Sequence, residues 1–122
     1  MMMMRGVRGA TVANSNTEAD ILEATQELLL EMIAINGIQQ DEVASILFTT
    51  SPDLTACYPA KAARKIGWVQ TALLGFQEMD VPNGMPLCVR VLIHWNTEKG
   101  LDDIEHVYMR DAIRLRPDLV RV

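Results

Sequence analysis

Two cysteines in 122 residues, Cys57 and Cys88, are too few for a disulfide framework, and no CxxC pair or secretory apolar segment accompanies them. The simplest reading is a reduced, cytoplasmic setting with both thiols acting as small apolar side chains, a bridge between them being left open. Aromatic residues are scarce, at 5%, and 11 basic residues face 16 acidic ones for a net charge of -5. That balance gives no support for nucleic-acid binding, which favours a basic stripe with interleaved aromatics. No apolar run approaches the roughly 20 residues of a membrane helix, so no membrane partner is expected. The two histidines, His94 and His106, have no partner at metal-ligand spacing. Both are assigned to structure, and neither a metal nor a cofactor is expected. Repeats, low-complexity segments and linkers are missing as well.

What is present is an ordinary globular balance, 49% apolar and 22% charged, in a chain long enough for one domain spanning residues 1–122. Against this acidic background, Arg5 and Arg8 sit among strand-like neighbours, and Arg90 lies within L-C-V-R-V-L-I. An arginine inside a β-branched run either snorkels from a strand edge or awaits an anion. With Glu78 and Tyr108, these arginines suggest a pocket for a small anionic molecule. Arg5 and Arg8 are an odd number of residues apart and point to opposite sheet faces, so at most one enters a given pocket. Arg90 paired with Glu78 for purely structural reasons is the bland alternative. Glu31, Asp41 and Glu42 read as a solvated surface, and Arg110, Arg114 and Arg121 as decoration of the C-terminal segment.

Met1 to Met4 are too short for a signal peptide and read as a disordered start. Residues 5–12 form a first strand, with Gly6 and Gly9 allowing close backbone approach. Asn14 to Thr17 supply capping chemistry for a helix that starts with acidic Glu18 and Asp20, carries an Ile21, Leu22, Leu28, Leu29, Met32 and Ile33 stripe, and stops at Gly37. Val43 to Thr50 is a second strand, expected to be buried on both faces. Pro59 to Ile66 is a short helix, Trp68 to Leu74 a third strand, and Leu87 to Asn96 the longest strand. The Asn83-Gly84 turn lies between those two strands. Residues 101–105 make a short helix or turn, and His106 to about Leu115 ends in strand-like alternation. The sum is an α+β fold, a mixed sheet of about five strands with one long helix and short helices. One helix covers little of such a sheet. Its other face is therefore expected against further copies of the chain, in a closed cyclic homo-oligomer with clefts between subunits.

Five ordered motifs carry a resemblance: R-G-V-R-G-A-T, S-P-D-L-T-A-C-Y-P-A-K-A-A-R, Q-E-M-D-V, C-V-R-V and H-V-Y-x(6)-L-R-P-D-L. Together, from Arg5 to Leu119, they resemble the small trimeric, monofunctional chorismate mutases with a pseudo-α/β-barrel assembly. The resemblance implies a cofactor-free Claisen rearrangement of chorismate to prephenate, on the route to phenylalanine and tyrosine, at sites between the subunits of a homotrimer. It implies that Arg90 faces the ether oxygen of the breaking bond and that Glu78 meets the ring hydroxyl. It also implies that Arg8 and Tyr108 hold carboxylates, that Tyr58, Ala60 and Lys61 line the pocket, and that Leu73, Leu74 and Gly75 form its wall. Arg64, Leu115 and Arg116 match positions that complete or close the site, the last within a mobile tail, residues 116–122. Gly75 offers only backbone groups where one form of the pattern has a cysteine, and Tyr58 stands where phenylalanine is frequent.

Such chemistry suits these residue types. A unimolecular pericyclic step needs no nucleophile or proton transfer, only a folded conformer and a fixed cation where negative charge develops. Arginine stays charged and offers a planar fork of donors. Two other functions stay open at this point: an enamine or imine deaminase of similar trimeric architecture, and a non-catalytic sensor of an aromatic-pathway anion.

Overall fold

Period-two alternation and helix capping divide the chain into the elements seen in a computed structural model, which describes residues 2–116. Strand β1 spans Met3–Val12, helix α1 Glu18–Asn36, β2 Val43–Thr50, helix α2 Lys61–Lys65, β3 Ala72–Gln77, β4 Cys88–Thr97 and β5 Val107–Tyr108. Short 3-10 turns occupy Gln40–Glu42, Leu101–Asp103 and Arg110–Leu115. The strands form one five-stranded sheet in the order β3-β2-β4-β1-β5. β4 pairs antiparallel with β1 and β2, while β3 adds to β2 and β5 to β1 in parallel, making the sheet mixed as expected.

Helix α1 begins where Thr17 accepts a hydrogen bond from the Asp20 amide at 3.2 Å, and Glu18 and Asp20 oppose the positive end of its dipole. It ends at Gly37, whose left-handed φ of 72° lets its amide reach the Ile33 carbonyl at 2.9 Å. The helix buries Ile21, Leu28, Leu29 and Met32 in one cluster with Val7, Ile46, Phe48, Val89, Val91, Ile93 and Trp95. Each large apolar side chain so buried contributes roughly 1.5–3 kcal/mol relative to exposure. Gly9 is where helix and sheet come closest: a Cβ there would lie 2.4 Å from the Met32 sulfur.

Alternation sends Arg8, Leu47, Thr49, Arg90, Leu92 and His94 to the opposite face, aligned by the β1/β4 and β2/β4 registers. Leu74 and Phe76 of β3 join them and remain 56% and 48% exposed. This corrects the expectation that β2 is buried on both faces, since only Ile46 and Phe48 within it are fully covered.

Other differences from the sequence reading have local causes. β3 starts at Ala72, not Trp68, because the chain first turns through Gly67 and the Trp68 amide bonds back to the Ala63 carbonyl at 3.0 Å. Trp68 then packs into the core as a loop residue. The C-terminal segment is strand only at Val107–Tyr108 and then coils into a 3-10 turn, with Arg110 at φ 54° marking the break. Met3 and Met4 are not an irregular start; they pair with Thr97 and Asn96 as the beginning of β1. Cys57 and Cys88 are free thiols. Of the expected mobile tail, residues 116–122, all but Arg116 lies outside the described residues, Arg121 included.

Polar side chains pin the loops. Asn36 donates to the Glu105 carbonyl and accepts from the Glu105 amide, both at 2.9 Å, tying the end of α1 to the segment before β5. Asn16 accepts from the Thr55 and Ala56 amides at 2.9 and 3.0 Å. Asp53 accepts from the Leu87 amide at 2.9 Å and so holds the entry to β4. Among the described residues, no helix is long and apolar enough to cross a membrane.

Candidate active site

The sheet face away from α1 carries a cleft of about 250 Å³ lined by Arg8, Thr49, Phe76, Glu78, Arg90 and Tyr108 together with Ala10, Leu47 and Leu92. Its polar groups come from four neighbouring strands and one strand end. Arg90 is fixed near the start of β4 opposite Ala10 of β1 and Thr49 of β2. Arg8 lies one alternation away, opposite Leu92, and Tyr108 pairs with Ala10 from the β5 side. Glu78 follows directly after β3, with its amide bonded to the Thr50 carbonyl at 2.8 Å.

The carboxylate of Glu78 is held from two sides. Its Oε2 accepts from Thr49 Oγ1 at 3.0 Å and its Oε1 from the Met79 amide at 3.1 Å. Arg90 Nε stands 3.5 Å from the same Oε2, a looser contact than a close ion pair. Cys88 lies two residues before Arg90; burial is the main cause pushing its thiol up from its ordinary value, with the charge and hydrogen bond of Arg90 pulling the other way.

Arg8 is positioned partly by His106, whose Nδ1 accepts the Arg8 amide at 3.0 Å. Desolvation, then the positive charges of Arg8 and Arg116, hold the His106 imidazole below its ordinary pKa of 6.5. His106 is thus tied to the Arg8 backbone beside the cleft. His94, hydrogen-bonded to Ser45 Oγ at 2.8 Å, is a strand-pairing residue.

Four of the residues singled out from sequence, Arg8, Glu78, Arg90 and Tyr108, thus meet in one cleft. The others lie elsewhere on the same chain. Tyr58, 82% exposed, and Gly75 line a second cleft of about 500 Å³ with Cys57 and Phe76. Lys61 is paired with Glu18 at the start of α1, which raises the lysine pKa and lowers that of the glutamate. Ala60 and Leu73 pack against the core, Arg64 is exposed on α2, and Leu74 is exposed on the open sheet face. Leu115 and Arg116 close the last 3-10 turn without lining the first cleft. Arg5 takes the other sheet face, its Nε donating to the Lys99 carbonyl at 3.2 Å.

Thr49 and Phe76 line the cleft although sequence reasoning passed over them. The period-two rule applied to V-A-S-I-L-F-T-T would have put Thr49 on the face of Leu47; the register against Arg90 was the missing information. Arg110 is not the decoration of the C-terminal segment that the sequence suggests. It instead donates to both Glu27 carboxylate oxygens at 3.3 Å and to the Val12 carbonyl at 3.1 Å, binding the C-terminal segment to α1 and β1. Among the described residues, no group of three or more His, Cys, Asp or Glu is arranged to hold a metal.

Two guanidinium groups, a phenol and a carboxylate converge on this sheet face, a donor set that suits a small anion. Comparison with known proteins identifies the class. The sequence profile of the family described as chorismate mutase type I matches residues 4–119. The chain is 48% identical over 118 residues to chorismate mutase AroH of Thermus thermophilus, covering 96% of this chain and 97% of that one. It is 42% identical over 119 residues to chorismate mutase AroH of Bacillus subtilis (strain 168), covering 97% and 94% respectively. The solved chorismate mutase from Clostridium thermocellum superposes with a TM-score of 0.87 at 46% identity, covering 88% of this chain and 96% of that chain. The chain belongs to the type I chorismate mutases, a family of isomerases.

Proposed function

We propose that the chain converts chorismate to prephenate by conformer selection and electrostatic stabilisation, in the cytoplasm, on the route to phenylalanine and tyrosine. The observation that carries this reading is the convergence of Arg8, Glu78, Arg90 and Tyr108 on one cleft of about 250 Å³. Arg90 stands at the ether oxygen, where negative charge grows as the C–O bond breaks. A fixed cation in a dry pocket is worth most at that moment, about 3–4 kcal/mol for one such donor. Glu78 meets the ring hydroxyl, and Arg8 and Tyr108 hold the carboxylates so that the two reacting termini stay in contact. No covalent intermediate forms.

The working site lies between copies of the chain in a homotrimer. Two features support this. Leu74 and Phe76 leave an apolar surface on the sheet face away from α1. Tyr58, Ala60, Lys61, Arg64, Leu73, Leu74 and Gly75, also pocket candidates, do not line the Arg90 cleft of their own chain. In the proposal a neighbouring copy brings Tyr58, Ala60, Lys61, Arg64 and the Leu73–Gly75 wall to that cleft, and Leu115 and Arg116 close it. Each copy carries -5, so a dianion is drawn in by the local positive field of the arginines and Lys61 against the net charge.

The test is the loss of chorismate absorbance with purified protein, prephenate being identified by acid conversion to phenylpyruvate. Turnover should survive a chelator, and the active species should have about three times the 13.6 kDa chain mass. Binding of chorismate without turnover would overturn the catalytic reading. A fully active monomer would overturn the interfacial site.

A further inference from the structure

We propose that Thr49 is a positioning residue that holds the Glu78 carboxylate off Arg90, keeping the guanidinium free to serve the substrate. This rests on the reading of Arg90 and Glu78 as the residues that meet the substrate's ether oxygen and ring hydroxyl.

Two donors share a single oxygen. Glu78 Oε2 accepts from Thr49 Oγ1 at 3.0 Å, while Arg90 Nε is 3.5 Å from that same atom. Unhindered guanidinium–carboxylate bonds close to about 2.7–2.9 Å and become bidentate. Here the neutral donor has the short contact and the cation the long one. Thr49 can do this because its place is set by backbone: it lies directly opposite Arg90 in the β2/β4 ladder, on the same face. Glu78 is less constrained, since it lies beyond the end of β3 and its side chain is 37% exposed. Its other side-chain anchor is the adjacent Met79 amide at 3.1 Å, which leaves the Oε2 end free to swing.

Loss of the Thr49 hydroxyl therefore lets Oε2 swing onto Arg90. A closed ion pair spends guanidinium donors and cancels part of the positive potential that the breaking bond requires. Since that potential is used most in the transition state, the effect falls on kcat more than on KM.

Thr49→Val removes the hydroxyl while keeping volume, branching and strand preference. In the chorismate assay its kcat should fall about tenfold, equivalent to ~1.4 kcal/mol, with KM changed less than about threefold. Thr49→Ser should recover most of the loss, and Thr49→Ala should repeat it if the valine variant fails to fold. Measured in a Glu78→Ala background, Thr49→Val should have no further effect, because nothing is left to position. Wild-type kcat in a folded Thr49→Val protein would overturn the proposal, as would an equal loss in the Glu78→Ala background or no recovery with serine. No turnover by the wild-type protein would overturn this and the parent reading together. Wild-type turnover with an unimpaired Thr49→Val overturns this one alone.

Discussion

Gly9→Ala tests how closely the helix rides on the sheet. The new Cβ would lie 2.4 Å from Met32 Sδ, 3.0 Å from Leu28 Cδ1 and 3.1 Å from Met32 Cε. Both neighbours are 0% exposed, so neither can swing into solvent. Overpacking of this kind costs about 1–3 kcal/mol, while alanine returns about 0.4–1 kcal/mol by restricting the unfolded chain. The net is a loss of roughly 1–2 kcal/mol, or a fall in Tm of about 3–10 °C for a domain of this size. Thermal unfolding followed by circular dichroism, at one fixed protein concentration because assembly adds to stability, reads the shift. Met32→Ala should be destabilising alone through its cavity, yet combine with Gly9→Ala for less than the sum by about 1 kcal/mol. A Gly9→Ala protein as stable as wild type, or a strictly additive pair, would refute the close approach of α1 to β1.

Three further outcomes follow from buried or pinned polar groups. Thr11 is 0% exposed and its hydroxyl has no hydrogen-bond partner among the described residues. Thr11→Val should therefore raise stability by about 1 kcal/mol in urea unfolding, and a loss of stability would show that the hydroxyl is satisfied. His106 is held below its ordinary value of 6.5, so under mild acid the unfolded chain takes up a proton that the folded one resists. Stability should fall as pH drops from about 6.5 towards the depressed folded value, and His106→Asn should flatten that part of the profile; an unchanged profile would contradict the shift. Arg110→Ala should loosen the C-terminal segment, giving faster amide exchange at Met109 and Ala112, whereas unchanged exchange would mean that its bonds to Glu27 and Val12 are incidental.

Much of this was legible in the sequence because the signals are local. Thr17, Glu18 and Gly37 mark α1 at both ends, and the apolar spacing between them names its buried face. Opposite-face placement of Arg5 and Arg8 follows from strand period alone, and it correctly separates the cleft arginine from the one bound to Lys99. What escaped has one local cause and several distant in sequence. The late start of β3 follows from the turn at Gly67, and Trp68 looks like a strand residue until its core packing is seen. The 3-10 turn after β5 is anchored by Arg110 to groups 83 and 98 residues away, beyond any local pattern. Thr49 is recognisable as a cleft residue only once β2 and β4 are in register.

A fixed cation on β4 stabilising the negative charge that grows as the C–O bond breaks is probed at its source by the kcat of Arg90→Ala with chorismate. The variant should fold and assemble with kcat reduced at least about 10²–10³-fold, since the remaining groups bind the substrate but leave the developing charge unmet. Turnover close to wild type in that variant would contradict it.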